Sequence, residues 1–302
     1  MKEKTSAKRG NRKSIRDVIT ALVVFGIVLV VPVFSLIEFG RFFRGNDDRS
    51  AAALPAMSRR AIDDTTRPPQ LFGEPLITVT FDDGAESIYK YAMPLLQKYG
   101  IHTTQYVLGG TADDPQYVSW AQIAQMQKSG HEIACHTMTH LDLTTLNDHD
   151  LDYQLRECRT VLSERYGAIT NFASPYGAAN THTLDVIGKY FDSARNTDGD
   201  PTNGVTDVDV NTASNFNIYN IIGVTVRHDT SVDELKALVD YAKKTNGWVV
   251  LTYHQADEGT GSQYGVNADK LEKQFAYLSK TDVRIVTMRQ ALQTTTASDV
   301  EY

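Results

Sequence analysis

Two kinds of hydrophobic pattern alternate along the body of the chain. Short apolar runs rich in β-branched residues, such as Leu76–Phe81 and Trp248–Tyr253, predict buried strands. Longer runs, in which apolar residues recur every three or four positions, predict amphipathic helices such as Asn147–Tyr166. Gly100 and Gly167 directly follow two of these helical patterns, where glycine is a typical helix stop.

Repeating strand–helix units therefore make up most of the chain. The predicted strands are Leu76–Phe81, Thr103–Val107, Glu132–Cys135, Asn171–Ala173, Ser193–Asn196, Asn217–Val226, Trp248–Tyr253 and Val283–Val286. The predicted helices are Ser87–Tyr99, Ser119–Gly130, Asn147–Tyr166, Thr181–Tyr190, Ser231–Lys244, Asn267–Thr281 and Thr287–Leu292. Residues 197–216 have no clear period and are predicted to form a long loop near the site. Such alternation implies parallel strands in an α/β wound sheet or barrel.

An apolar, uncharged run precedes this region. Val18–Ile37 is 20 residues long, which matches the ~20 residues needed to span a bilayer. Seven Lys and Arg residues within residues 1–17 predict a basic cytoplasmic N-terminus. We expect a transmembrane signal anchor over residues 18–39, and therefore a single-pass protein of the cell membrane with its main domain outside the cytoplasm. A cleaved signal peptide is the alternative, although the small residues of Ala51–Ala56 lie well beyond the apolar run.

Composition divides the remainder into three segments. Residues 40–70 are polar and proline-rich without periodicity, which predicts a linker. Residues 71–294 carry the strand–helix pattern and form the predicted main domain, and residues 295–302 form a tail. The chain has 302 residues, 41% of them hydrophobic, which is enough for one domain of ordinary size. The sequence does not indicate an oligomeric state.

The charge is unevenly distributed. The whole chain has a formal net charge of -7. Residues 1–17 contain seven cations and two anions, or +5, so the remainder carries -12. An acidic main domain argues against nucleic acid or another polyanion as the main ligand, and it is compatible with a neutral glycan.

Residues that could bind a metal ion or act as a base follow the ends of two predicted strands. Asp82 and Asp83 follow the first strand, and His136 and His140 follow the third. One carboxylate and two imidazoles form a ligand set suited to Zn²⁺ or a similar divalent ion, and the second Asp is free to act as a base. Each half alone has a plain alternative. Asp-Asp-Gly is a common turn, and two histidines four apart are often exposed or core residues.

Two further motifs stand at strand ends, within Phe172–Gly177 and Leu251–His254. In this order the four segments resemble the NodB-homology polysaccharide deacetylases (carbohydrate esterase family four), over roughly residues 71–292. The resemblance implies a distorted, incompletely closed (β/α) barrel. It also implies a metal-dependent hydrolase that releases acetate from a glycan.

The resemblance assigns roles to single residues. It implies Asp82 as the catalytic base and His254 as the general acid. It implies Asp83, His136 and His140 as ligands of one divalent metal ion, expected to be Zn²⁺ with Co²⁺ or Ni²⁺ as alternatives.

Three further residues are implied to bind substrate. Pro175 opens the turn that presents the backbone N–H of Tyr176 as an oxyanion donor. Leu251 is implied to line the pocket that holds the acetyl methyl group. The alternative is that Leu251 is an ordinary core residue of its strand.

The turn sequence also bears on the substrate. Phe-Ala-x-Pro-Tyr-Gly is similar to the form found in poly-N-acetylglucosamine deacetylases and other exported members. We therefore expect an N-deacetylase of an extracellular N-acetylglucosamine polymer, either peptidoglycan or a poly-N-acetylglucosamine-type glycan. Two alternatives remain open: an O-acetyl esterase on an acetylated glycan such as xylan, and an inactive, membrane-tethered glycan-binding module.

The sequence departs from the family pattern at two places. Ala173 stands where the family usually has the Arg that orients the base, and we predict that Arg195, from the next short strand, supplies this guanidinium. The Asp-Trp motif that usually precedes the acid His is not recognisable, which leaves Asp229 and Asp233 as candidates to orient His254.

Two cysteines and five further histidines show no spacing that indicates a functional site. Cys135 and Cys158 are the only cysteines, and we expect two buried free thiols in preference to a disulfide. The remaining histidines are expected to be structural or exposed: His102, His131, His149, His182 and His228.

Overall fold

The computed structural model of the protein describes residues 73–112, 114–257 and 262–296. All of them belong to one compact unit, Ile62–Tyr302. The predicted basic segment, anchor and linker, residues 1–70, lie outside the described residues, so these assignments stay predictions. Within the described ranges no helix has the length and apolar character needed to span a membrane.

Strands and helices alternate as the hydrophobic pattern predicts. The strands are β1 (Leu76–Phe81), β2 (Thr104–Val107), β3 (Glu132–Cys135), β4 (Asn171–Ala173), β5 (Ser193–Arg195), β6 (Val224–Thr225), β7 (Trp248–Tyr253), β8 (Gln255–Asp257), β9 (Gly265–Asn267) and β10 (Arg284–Ile285). The α-helices are α1 (Met93–Tyr99), α2 (Trp120–Lys128), α3 (Asp148–Tyr166), α4 (Thr181–Ile187), α5 (Val232–Thr245), α6 (Ala268–Leu278) and α7 (Met288–Thr296). A π-helical segment, Ile88–Ala92, leads into α1.

Local sequence explains where the helices begin and end. Ser119 and Ser231 each accept a hydrogen bond from a backbone N–H in the first turn, and Gln122 and Glu234 return the bond to complete capping boxes. Gly100 ends α1 in the left-handed conformation, where a side chain would be strained. All predicted helices are present, with ends that shift by a few residues.

The main sheet is parallel throughout. Its strand order is β5-β4-β3-β2-β1-β7-β6, and β10 pairs with the beginning of β1. In the register, Phe81 lies beside Tyr253 of β7 and Gln105 of β2, so the ends of these strands meet at one edge. This curled parallel sheet with surrounding helices agrees with the predicted distorted (β/α) barrel.

Single residues link the two outer strands of the sheet. Parallel bridges join Arg195 to Ile221 and Gly199 to Val224. The N–H of Asn196 also donates to the carbonyl of Ile221 at 2.9 Å. These contacts bring the end of β5 close to β6, although the two strands lie at opposite ends of the sheet order. The Arg195 side chain consequently has a short route across the barrel interior to β1.

Alternation along the strands separates two apolar clusters. Trp248 and Val250 of β7 belong to a smaller cluster with Tyr106 and Ala173. Val249, Leu251 and Tyr253 belong to the large cluster that includes the inner faces of the helices. Successive side chains of a strand point to opposite faces. The smaller cluster therefore fills the barrel interior beneath the site.

Two expectations from the sequence are wrong, and one strand pair was not expected. Of the predicted strand Asn217–Val226 only β6 forms, because Asn217 closes a turn by accepting the N–H of Tyr219. The small β8–β9 pair was not predicted. Cys135 and Cys158 form a disulfide, with Cα atoms 6.1 Å apart, where we expected free thiols. Packing of α3 on β3 brings these two residues together, and sequence spacing does not encode that contact.

Candidate active site

The end of β1 presents two carboxylates in different directions. The N–H of Asp82 continues the ladder to the carbonyl of Tyr253 at 2.9 Å, and its side chain is buried. Asp83 and Gly84 then adopt left-handed conformations, with φ of 67° and 74°. Gly84 is required at this tight turn because a Cβ there would lie only 3.2 Å from Val118. The turn leaves Asp82 inside the barrel and directs Asp83 to the rim.

Asp83 meets the two histidines that follow β3. Its Oδ1 atom lies 3.4 Å from Nε2 of His136 and 3.2 Å from Nε2 of His140. One ligand atom from each of the three residues lies within 4.8 Å of the others. The structure thus brings together the three residues predicted to be metal ligands.

Hydrogen bonds fix the orientation of both imidazoles. Nδ1 of His136 lies 2.8 Å from the carbonyl oxygen of Ala173, which can only accept, so Nδ1 carries the proton and Nε2 keeps its lone pair. His140 has a φ of 60°, and its N–H donates to Oγ1 of Thr137 at 3.0 Å. Both Nε2 atoms therefore face Asp83.

The electrostatics keep Asp83 ionised. Burial opposes ionisation, but the neighbouring imidazole of His136, assisted by His254 and His140, lowers the pKa of Asp83 to about 2. Burial opposes protonation of His136, but the carboxylates of Asp83 and Asp82 raise its pKa, whereas burial, together with the neighbouring His136, lowers the pKa of His140. A carboxylate and a neutral imidazole are the protonation states that bind a metal ion.

Asp82 is held by an arginine from another strand. Nη2 of Arg195 donates to both oxygens of Asp82, at 2.6 and 2.5 Å, and Nη1 donates to the carbonyl of Asn196. Both side chains are buried, and the guanidinium carbon lies 5.1 Å from the centre of the Tyr106 ring. The structure therefore places Arg195 in contact with the predicted base.

His254 directly follows β7 at the same edge. Burial lowers its pKa, although Asp82 and Asp83 oppose that shift. Its Nδ1 atom is buried and has no hydrogen-bond partner among the described residues, while its ring lies 5.1 Å from that of Tyr264. Asp229, suggested as an orienting group, is instead exposed beside His228.

Asp233 does not fill this orienting role either. It lies in the first turn of α5 and is exposed. Neither suggested carboxylate reaches the imidazole of His254, because both belong to the outer, solvent-facing segment that leads into α5.

The Pro175–Gly177 turn follows β4 on the rim. Pro175 is buried, whereas Tyr176 is 68% exposed and adopts a left-handed conformation with φ of 60°. The N–H groups of Gly177 and Ala178 close the turn, which leaves the N–H of Tyr176 outside this pair of hydrogen bonds. The Tyr176 ring packs edge-on against His140, with centroids 4.6 Å apart.

Leu251 does not occupy the place suggested for it. Its side chain is fully buried in the helix-facing cluster, on the opposite face of β7 from Thr252 and His254. Because side chains alternate along a strand, Leu251 cannot face the metal ligands while His254 does. The prediction that Leu251 walls an acetyl pocket is corrected on this ground.

Two clefts border the cluster. One, of about 710 Å³, is lined by Asp83, His140 and residues of the first turn after β1, together with Tyr91 and Tyr117. A second, of about 490 Å³, lies between the Tyr176 turn and Asn217, Asn220 and Asp198. Polar side chains and tyrosines along both clefts suit the hydroxyl groups and ring faces of sugars.

Sequence reasoning missed residues that shape the site. Gly223 passes so close to Arg195 that a Cβ there would lie 2.7 Å from the arginine Cδ. Gln154, a buried side chain of α3, accepts the N–H groups of Met138 and Thr139 between the two histidines. Two consecutive glycines, Gly109 and Gly110, are a sequence signal that another backbone segment packs closely there. Gln154 has no such signal in the sequence.

The residues present fit a divalent metal ion. Oδ1 of Asp83 is buried without a hydrogen-bond partner among the described residues, and two imidazole nitrogens face it. One carboxylate oxygen and two nitrogens leave further coordination positions open, as in catalytic sites. The curled parallel sheet and this cluster define a barrel-type α/β protein with a candidate metal centre at the carboxyl ends of its strands.

Comparison with known proteins supports the resemblance. Residues 71–190 match the model of the polysaccharide deacetylase family. This match lies on the same part of the chain as the first motifs and confirms that they resemble that family. A bifunctional xylanase/deacetylase of Pseudobutyrivibrio xylanivorans is 32% identical over 107 residues, which cover 35% of this chain and 17% of the relative.

Two further proteins extend the comparison. A chitooligosaccharide deacetylase of Sinorhizobium fredii is 31% identical over 109 residues, covering 35% of this chain and 48% of the relative. The matches thus span less than half the length of these relatives. A solved structure of a peptidoglycan N-acetylglucosamine deacetylase has 19% identity and a TM-score of 0.53, and covers 74% of this chain and 90% of its own. That likeness supports the fold.

Proposed function

We propose that the protein is a metal-dependent N-deacetylase that releases acetate from an N-acetylglucosamine-containing polysaccharide. One observation carries the proposal: Asp83, His136 and His140 converge within 4.8 Å at the strand ends, beside the separately held Asp82. A metal ligand set and a free carboxylate at one edge are what amide hydrolysis by an activated water requires.

The proposed metal ion is Zn²⁺, with Co²⁺ or Ni²⁺ as alternatives. Held by Asp83, His136 and His140, the ion would polarise the acetyl carbonyl and lower the pKa of an attacking water. Asp82 accepts the proton of that water. Arg195 keeps Asp82 in one rotamer through its two hydrogen bonds.

Two groups complete the proposed reaction. His254 donates a proton to the leaving nitrogen, so that the sugar departs as an amine. The N–H of Tyr176 donates a hydrogen bond to the oxygen on which negative charge develops in the transition state. Asp82 and His254 end adjacent strands, β1 and β7, and therefore flank the same point on the rim.

The substrate class rests on the relatives and on the clefts. One relative is named a chitooligosaccharide deacetylase, and a protein of similar fold is named a peptidoglycan N-acetylglucosamine deacetylase. The predicted anchor of residues 18–39 would place the domain outside the cytoplasm, near a cell-surface glycan. The acidic main domain suits a neutral polymer that becomes cationic when acetate leaves.

An O-acetyl esterase is the second candidate. It is favoured by the relative that joins a deacetylase to a xylanase. An ester is cleaved by the same steps, with an alcohol as the leaving group in place of an amine.

Acetate release tests the proposal. The metal-loaded chain is assayed on chitooligosaccharide, peptidoglycan and acetylated xylan, with chelator-treated protein as the control. Metal-dependent release from the first or second supports the N-deacetylase. Release from acetylated xylan alone supports the esterase, and release from none supports an inactive binding module.

A further inference from the structure

The loop that carries both histidines is not in a conformation it would adopt unaided. Thr137 and His140 have φ values of 72° and 60°, in the left-handed region that non-glycine residues rarely occupy. Such a residue is strained and keeps this conformation only where its surroundings hold it. The 136–140 loop therefore needs contacts from outside itself.

Helix α3 supplies the first of these contacts through Gln154. Oε1 of Gln154 accepts the N–H of Met138 at 3.0 Å and the N–H of Thr139 at 3.1 Å. Its Nε2 donates to Oγ1 of Thr139 at 2.9 Å. Gln154 is 4% exposed, so these hydrogen bonds form away from solvent. The amide thus holds the backbone midway between the two metal ligands.

One turn further along α3, Cys158 supplies the second contact. Its disulfide partner, Cys135, is the residue immediately before His136. Residues four apart lie on the same face of a helix, so Gln154 and Cys158 both contact the loop segment from one face of α3. A single helix face is therefore tied to the loop at its start and at its middle.

Gly109 and Gly110, which follow shortly after β2, make further contacts with the loop. Their N–H groups donate to the carbonyls of Thr137 and Met138 at 2.9 and 3.0 Å. A Cβ on Gly109 would lie 2.8 Å from Sδ of Met138 and 3.1 Å from Cα of Cys158. The loop is consequently held by a glycine segment as well as by α3.

We propose that Gln154 and the Cys135–Cys158 disulfide act as a two-point clamp that holds His136 and His140 in metal-binding geometry before the ion arrives. This inference rests on the metal site of the proposed function. Neither Gln154 nor the disulfide touches the ligand atoms, so both are positioning elements. Preorganised ligands lose less freedom on binding, and outer-shell groups of this kind typically contribute about 10–100-fold to metal affinity.

The test measures the Kd of the full chain for Zn²⁺ alone, by competition with a chelating dye. Gln154→Met keeps the length of the side chain but removes all three hydrogen bonds. We expect a Kd raised about 10–100-fold and faster release of the ion. Gln154→Glu keeps the acceptor oxygens and should bind Zn²⁺ at least as tightly as wild type.

A second buried glutamine provides the matched control. Gln274 of α6 is fully buried and bonds to Tyr253 and Thr230, away from the loop. Gln274→Met should lower Tm about as much as Gln154→Met while leaving the Kd for Zn²⁺ unchanged. An equal rise of Kd in both variants would mean that general loosening weakens binding, and it would overturn the clamp.

A variant without the disulfide tests the proposal even if Gln154→Met folds poorly. Cys135→Ala/Cys158→Ala should also raise the Kd, because it frees the start of the loop. Wild-type affinity in this variant, or in a folded Gln154→Met, overturns the two-point clamp. Absence of Zn²⁺ binding by the wild-type chain overturns the clamp and the metal site together. Because only Zn²⁺ binding is read, the result is independent of acetate release, which tests the proposed function.

Discussion

Arg195 at the end of β5 donates two hydrogen bonds to Asp82 at the end of β1, at 2.6 and 2.5 Å. In the sheet register Arg195 lies directly beside Ala173, the position at which the family usually carries its arginine. The guanidinium therefore comes from β5, the strand next to β4, at the same level of the barrel. The small Ala173 side chain leaves room for it in the interior cluster.

Removing this arginine should affect both turnover and stability. Arg195→Ala leaves a buried carboxylate without its partner, which typically costs about 3–5 kcal/mol, and turnover should fall strongly while bound metal is retained. Asp82→Asn/Arg195→Gln, a neutral pair, should recover much of the stability but not the turnover. Urea unfolding and metal analysis check both points.

An exposed arginine serves as the control for that experiment. Arg156 of α3 pairs with Asp152 at the surface, so Arg156→Ala should change stability by at most about 1 kcal/mol. If Arg195→Ala behaves like Arg156→Ala and keeps wild-type turnover, Arg195 does not orient the base.

Gly223 should matter because it makes space for Arg195. A Cβ at this position would lie 2.7 Å from Cδ of Arg195 and 2.9 Å from Oγ1 of Thr252. Gly223→Ala should therefore displace the guanidinium from Asp82 and reduce kcat with a smaller effect on metal content. Gly73 has nothing within 4 Å of its Cβ position, so Gly73→Ala should be silent. Equal kcat in the two alanine variants would contradict the steric argument.

His131 should make stability depend on pH. Burial, with repulsion from His102, lowers the pKa of His131 to about 4, and its Nδ1 accepts the N–H of Thr103. The ordinary value is about 6.5, so between these values the unfolded chain binds more protons than the folded one. The unfolding free energy should fall as pH decreases from about 6.5 toward 4, by about 3 kcal/mol from this group alone.

Comparison with His131→Asn isolates this contribution. The amide oxygen of Asn can accept the same N–H but does not titrate, so the acid-side loss of stability should be smaller. His149 is almost fully exposed, and His149→Asn should keep the wild-type pH dependence. A wild-type slope in His131→Asn would show that another group governs the acid transition.

Strand ends made much of the site predictable from sequence. Parallel strands end at one edge, so motifs that follow β1 and β3 must lie close together whatever the loops between them do. That argument places Asp83 beside His136 and His140, and Arg195 near Asp82, without knowledge of the packing.

Features that depend on packing were not predictable in the same way. β7 is buried on both faces, so its pattern does not reveal which face Leu251 takes. The pairing of Cys135 with Cys158 depends on how α3 lies on β3. Gln154 contacts backbone N–H groups, which leave no trace in the sequence.

The two adjacent carboxylates test the central claim most directly. Asp82→Asn and Asp83→Asn are prepared side by side, and bound Zn²⁺ and acetate release from chitooligosaccharide are measured for both. Asp82→Asn should retain about one metal ion per chain and lose turnover, because it removes a base and not a ligand. Asp83→Asn should lose both metal and turnover. Equal metal content and equal activity in the two variants would contradict the division between base and ligand on which the proposed mechanism depends.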